Sequence, residues 1–75
     1  MGTTLHDVQP GAAFRIDAVP DDEVRAQLQR MGFLDGVVTC RTRLDRGPVV
    51  ISHRGTELAL GAPIAADVRI TVTEI

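Results

Sequence analysis

The sequence predicts a small, mainly β domain with one α-helix near its start. Apolar residues recur at alternate positions in four short segments and form a β-branched run in a fifth, and Gly, Pro and Asp residues typical of turns separate these segments. One early segment instead spaces its apolar residues as one face of a helix does. Because a chain of 75 residues supports one hydrophobic core, residues 1–75 are predicted to form a single domain.

The first strand is predicted over residues 12–18, where Phe14 and Ile16 alternate with charged residues. Pro10 and Gly11 come directly before it and are a turn signal. Leu5 and Val8 lie three residues apart ahead of this signal, so residues 5–11 are expected to form a short hooked turn that leads into the strand.

A helix of about three turns is predicted between Asp21 and Gly32. Asp21 can accept hydrogen bonds from the free amides of a first helical turn, and Gly32 suits the left-handed residue that ends a helix. Val24, Leu28 and Met31 lie on one face at helical spacing, so this face is expected to be buried.

Four more strands and one short helical turn complete the prediction. The strands are expected at residues 37–44, 49–53, 57–60 and 68–72, with a helical turn at 61–67. Five short strands, a helix between strands one and two and a helical turn before the last strand describe a small five-stranded SH3-like barrel.

The strand at residues 37–44 is expected to alternate along its whole length. The inward side is predicted to comprise Val38, Cys40, Thr42 and Leu44, and the wet side Val37, Thr39, Arg41 and Arg43. An open barrel leaves strand edges, so the last strand and the edge of the first are expected to pair between copies in a homo-oligomer.

Composition excludes several classes of function. A net charge of −2 and only two aromatic residues, both Phe, argue against nucleic acid as a partner, because binding needs basic surfaces or stacking platforms. No apolar run reaches the roughly 20 residues of a membrane-spanning helix, so direct membrane insertion is not expected. A lone Cys40 fits a reducing, cytoplasmic compartment.

No group of residues predicts catalysis, so the chain is not expected to be an enzyme. Cys40 is predicted to be a small buried hydrophobe without a His partner. His53 and Glu57 flank the turn at residues 54–56 and are weak candidates for two metal ligands that approach each other across it. Two ligands without a third do not make a dedicated metal site, so no cofactor is required, although a divalent transition metal such as Fe²⁺ is a candidate.

A contact surface has better support. Phe33 and Leu34 stand on a turn between two glycines, where large apolar side chains either fold back on the helix or stay exposed for a partner. Phe33 is expected to cap the barrel, whereas exposure and burial are weighed equally for Leu34. The candidates for partner contact are Leu34, Asp35, Arg41 and Arg43, although an Arg stripe is more often only a solvated face.

Three ordered motifs resemble the FeoA family, ferrous iron transport protein A. Residues 25–36 are similar to the family's R-x-x-L-x-x-[LM]-G-hydrophobic-x-x-G segment, and residues 47–51 to its G-P-hydrophobic turn. Residues 54–60 resemble its R-G-x-x-hydrophobic-A-L hairpin. Two features depart from the family: residues 61–65 hold no basic side chain after Ala-Leu, and Gly47 precedes Pro48 without an intervening Asp.

The resemblance implies an SH3-like barrel and a cytoplasmic role in ferrous iron uptake. The implied partner is FeoB, a membrane iron transporter with a cytoplasmic G-domain, and the family is often classed as transition-metal binding. The alternative that the resemblance implies is a metal-responsive regulatory module, like the C-terminal SH3-like domain of diphtheria-toxin-repressor-type regulators.

Overall fold

The computed structural model describes residues 3–73 and is mainly β. Six strands, two α-helices and one 3₁₀ turn follow one another along the chain. They are β1 (Thr3–Thr4), the 3₁₀ turn (Leu5–Asp7), β2 (Ala13–Ala18), α1 (Asp22–Arg30), β3 (Val38–Arg43), β4 (Val49–His53), β5 (Thr56–Leu60), α2 (Ala62–Ala65) and β6 (Arg69–Val72).

All six strands form one antiparallel sheet in the order β1-β6-β2-β3-β4-β5. The hairpins β3–β4 and β4–β5 join strands that follow each other in the chain, as short turns require. β6 returns to lie between β1 and β2. The predicted SH3-like fold is thus confirmed, with one strand more than expected, because Thr3 and Thr4, ahead of the predicted hooked turn, pair with Ile70 and Arg69.

Pairing of the first and last predicted strands between copies stays a prediction, although the same two strands, β2 and β6, also pair within one chain. Within one chain, β2 pairs with β6 from Phe14 opposite Val72 to Ala18 opposite Arg69. This ladder occupies one edge of β2 and one edge of β6. The free edges are those of β1 and β5 at the ends of the sheet, together with one half of β2 that is described below.

α1 begins and ends where local chemistry requires it. The Asp21 carboxylate accepts a hydrogen bond from the Val24 amide at 3.0 Å, which satisfies a free donor of the first turn. At the other end the Phe33 amide donates to Leu28 and the Gly32 amide donates to Gln29. Gly32 adopts φ +80°, so the closure is a Schellman motif that depends on a left-handed residue.

The core fills the inner side of the sheet and the space beneath α1. Phe14 and Phe33, the two aromatic residues, are fully buried, as is Leu28 from the helix. Within residues 3–73, the other fully buried side chains are Leu5, Val8, Val38, Cys40, Val49, Ile51, Ala65 and Val68. Among the described residues, no helix has the length and apolar character needed to cross a membrane.

Candidate functional site

A groove opens where β2 and β3 separate. β3 pairs with β2 only at Ala13 and Phe14, because the chain enters β3 at Val38. Beyond this point the second half of β2 faces α1 and the turn that follows it. The resulting cavity measures about 380 Å³, and its lining residues are Ile16, Asp17, Ala18, Val19, Pro20, Arg25 and Leu34.

Phe33 and Leu34 have different environments although they are adjacent. Phe33 is fully buried and its ring lies 5.7 Å from that of His53, which confirms the predicted cap. Leu34 is half-buried: it packs against the edge of the core and lines the groove. Asp35 is exposed, and its amide donates to the Gly32 carbonyl. Of the predicted contact residues, Leu34 is therefore the one that the groove includes.

A β-bulge separates Arg41 from Arg43. The ladder between β3 and β4 shifts between Cys40 and Thr42, so the alternation of inward and outward side chains changes phase there. Arg41 is exposed and its Nε lies 3.4 Å from a carboxylate oxygen of Glu57. Arg43 instead pairs with the buried Val49, and residues directly opposite each other share one face of a sheet.

Arg43 therefore points inward, and its assignment to the wet side of the strand is wrong. Its Nη1 donates to the carbonyl of His6 at 3.0 Å, which joins the end of β3 to the 3₁₀ turn. Its Nε is buried and has no hydrogen-bond partner within residues 3–73. Thr42 and Leu44, which were predicted to face the core, are exposed instead.

His53 and Glu57 lie on opposite faces of the β4–β5 hairpin. His53 is buried, and its Nδ1 donates to the Val37 carbonyl at 2.9 Å. Glu57 pairs with Ser52 and directs its carboxylate outward to Arg41. The expectation that His53 and Glu57 approach each other across the turn is wrong, because adjacent residues of β4 face opposite sides. Within residues 3–73, no three His, Cys, Asp or Glu side chains cluster closely enough to hold a metal ion together.

Cys40 is fully buried on the inner face of β3, as predicted. Burial raises the pKa of its thiol, and this effect outweighs the opposing positive charge of Arg43 and a hydrogen bond from the Thr42 backbone. A reactive thiol needs the reverse arrangement, with an accessible sulfur and a lowered pKa.

Most of the groove was missed by sequence reasoning. Its walls come from β2, α1 and the turn after α1, three segments that are separate in the chain. Arg25 was placed only in the predicted helix and in the FeoA-like segment, and residues 16–18 only in a strand. Their shared position depends on how far β3 extends along β2, and no local pattern encodes that distance.

The fold and the groove together define a class: a small SH3-like barrel with a concave apolar site beside an interrupted ladder. The FeoA domain model matches residues 3–72. The chain therefore belongs to the FeoA family, small accessory domains that are associated with ferrous iron uptake and are not a known class of enzyme.

Two solved structures are similar to this chain. A crystal structure of an iron uptake regulatory protein (FeoA) matches with 24% identity over 97% of this chain and 100% of that chain, at a TM-score of 0.79. An NMR structure of a FeoA-like protein from Clostridium acetobutylicum matches with 23% identity over 99% of this chain and 90% of that chain, at a TM-score of 0.73. Both show the shared fold. No curated protein matches the chain in sequence.

Proposed function

We propose that this chain is a cytoplasmic accessory protein of ferrous iron uptake that acts by binding the cytosolic part of a FeoB-type membrane transporter. The observation that supports it most is the match to the FeoA domain over residues 3–72, nearly the whole chain. The barrel thus supplies a surface for contact, and the transporter supplies the transport chemistry.

The groove is the surface that suits this role best. Leu34, Ile16 and Val19 give it apolar walls. Arg25 and Asp17 add one charge of each sign. Pockets that combine a mostly apolar lining with a few polar groups are typical binding sites in proteins. Arg41, by contrast, is exposed in a pair with Glu57, and Arg43 is engaged inside the barrel.

Titration of the purified chain into the cytosolic part of a FeoB-type transporter, followed by calorimetry, tests the proposal. We expect saturable binding with a Kd below about 100 µM, measured with and without Fe²⁺ and with and without a guanine nucleotide. A complex under any of these conditions supports docking, and the condition that strengthens it identifies the step of transport involved. The absence of saturable binding in all four would contradict the proposal.

A matched pair of substitutions locates the contact. Leu34 is half-buried in the turn before β3, and Leu44 is exposed directly after β3. We expect Leu34→Asp to weaken binding by about tenfold or more, since a carboxylate would enter an apolar contact. Leu44→Asp is the control and should leave the affinity unchanged. Equal effects from both variants would place the contact outside the groove.

A further inference from the structure

The second half of β2 has a free edge that faces the groove. In an antiparallel ladder, successive residues direct their backbone amide and carbonyl to opposite neighbours. Thr73 donates to the Ala13 carbonyl from the β6 side, and Phe14 pairs with Val38 on the β3 side. Ile16, two residues after Phe14, therefore directs its amide and carbonyl to the same side as Phe14. β3 does not reach Ile16, because β3 begins at Val38 opposite Phe14.

These backbone groups have no partner among residues 3–73. Outside the sheet ladders, no backbone hydrogen bond involves any residue from 14 to 20, and no side chain donates to the backbone there. Backbone amides and carbonyls are strong hydrogen-bonding groups that need a partner, from water or from another chain. The groove thus combines a free strand edge with an apolar wall.

We propose that the groove binds an extended segment of the protein partner, which adds as a short strand beside β2. This inference rests on the proposed function and specifies how the docking occurs. The free half of β2, residues 15–18, has room for a segment of about four residues at the spacing of a strand. Backbone hydrogen bonds to Ile16 would hold the segment, and side-chain pockets would select it.

The lining residues define the chemistry of that segment. Ile16, Val19 and Leu34 favour an apolar side chain directed into the groove. Arg25 favours a carboxylate at the end of the segment that lies near α1. Its present partner is Asp22 at 3.1 Å, in a pair whose side chains are 58% and 89% exposed. Pairs of this kind contribute little to stability, so Arg25 can turn to a partner's carboxylate at low cost.

A second copy of this chain fits the groove less well. An antiparallel register that sets Ile16 of one copy opposite Ala18 of the other places Asp17 opposite Asp17, and like charges directly opposite are destabilising. A bulge after Ile16 also turns Ala18 toward β6, where it pairs with Arg69, so Ala18 is not a free partner for this register. In a register that sets Ile16 of one copy opposite Ile16 of the other, Ala18 of the second copy lies opposite Phe14. Val38 already pairs with Phe14 there. A different partner chain is therefore the occupant that we assign.

Amide hydrogen exchange measured by NMR tests the strand directly. In the complex with the cytosolic part of a FeoB-type transporter, we expect exchange of the Ile16 amide to slow by about tenfold or more, since a cross-strand hydrogen bond protects it. The amides of β5, the exposed edge at the other side of the sheet, provide the internal control and should keep their rates. A complex in which the Ile16 amide is not protected overturns this inference and leaves the proposed function intact.

Two matched substitutions support the exchange experiment. Ala18 lines the groove, whereas Ala59 lies on β5, and both are exposed. Ala18→Arg should weaken binding by about tenfold because a long side chain would occupy the groove, and Ala59→Arg should not change the affinity. Unchanged binding by Ala18→Arg overturns the inference. If the wild-type chain does not bind the transporter, the proposed function and this inference both fail.

The free chain provides the last comparison. At NMR concentration and without the transporter, the Ile16 amide should exchange rapidly and sedimentation should report a monomer. Protection of Ile16 in a dimer would identify a second copy as the occupant and would overturn the assignment of a different partner chain.

Discussion

The two ends of β3 differ in how many contacts they make with the rest of the chain. At its end the strand passes a β-bulge, and the Arg43 guanidinium joins it to the His6 carbonyl inside the barrel. At its beginning the strand pairs only with Ala13 and Phe14 of β2, and the backbone at Ile16 is left without a partner in the described chain. At the end of β3, the chain's own groups connect the strand to the 3₁₀ turn. At the beginning of β3, a groove remains.

This difference separates residues that maintain the fold from residues that are free to bind. Arg43 and Phe33 are committed to internal contacts, although the sequence alone placed Arg43 on the surface. The side chains of Leu34 and Ala18 make no hydrogen bonds, so a partner can contact them without breaking a hydrogen bond of the fold. The following predictions test this separation.

The largest effect is expected at the turn beside the groove. Phe33→Ala should lower the free energy of unfolding by about 3–5 kcal/mol, because it removes a fully buried ring. Leu34→Ala should cost about 1 kcal/mol, because its side chain is only half-buried. Urea denaturation of the two variants checks this. Equal losses would make Leu34 a core residue and would argue against a free groove.

At the opposite end of β3, Arg43→Met should lower the free energy of unfolding by about 1–2 kcal/mol. The variant keeps an apolar stem but leaves the His6 carbonyl without its donor, and the unpartnered Nε of Arg43 offsets part of the loss. Arg41→Met is the control, since exposed ion pairs contribute at most about 1 kcal/mol. An unchanged urea midpoint for Arg43→Met would show that the barrel closes without this contact.

The pH dependence of stability should report the burial of Cys40, which precedes the bulge. Because burial raises the pKa of the folded thiol above its usual 9.0, the unfolded chain loses this proton first. The stability that comes from keeping this thiol neutral is complete below pH 9.0. Above that pH the free energy of unfolding falls by up to about 1.4 kcal/mol per pH unit until the folded thiol also ionises.

The composition of the chain isolates this signal. No Lys or Tyr is present, so no other side chain titrates just above pH 9. Urea unfolding between pH 8 and 10.5 measures the slope, and Cys40→Ala should abolish it even though the substitution also lowers stability. A slope that persists in Cys40→Ala would assign the pH dependence to another group.

The smallest effect is expected at the turn between β4 and β5. Arg54 and Gly55 have φ of 52° and 84°, the pattern of a two-residue turn that favours Asn-Gly. Arg54→Asn should raise the free energy of unfolding by about 0.5 kcal/mol, because Asn tolerates positive φ better than Arg. Thermal unfolding checks the sign, and a destabilised variant would mean that the Arg54 side chain contributes to the fold.

The elements that sequence reasoning predicted correctly depend on neighbours in the chain. α1 is capped by Asp21 and closed by Gly32, and both signals are local. The hairpin of β4 and β5 likewise follows from local signals, which are the β-branched run at residues 49–51, the turn at residues 54–56 and the alternation after it. The inward position of Phe33 could be predicted because a large apolar residue after a helix tends to fold back on it.

The features that were missed depend on how distant strands align. Alternation predicted Thr42 and Leu44 inward and Arg43 outward, but the bulge after Cys40 reverses this order. β1 consists of two residues and is stabilised only by its pairing with β6, so it has no periodic signal of its own. The groove has the same origin, because the length of the β2–β3 ladder determines whether Ile16 is left free.

The burial of the single cysteine has a practical consequence. A maleimide reagent cannot reach the Cys40 sulfur in the native protein, so the rate of its labelling measures how often β3 separates from its neighbours. A partner bound next to this strand would suppress such openings. The unmodified sequence therefore contains its own kinetic probe of docking, without an added fluorophore or an introduced residue.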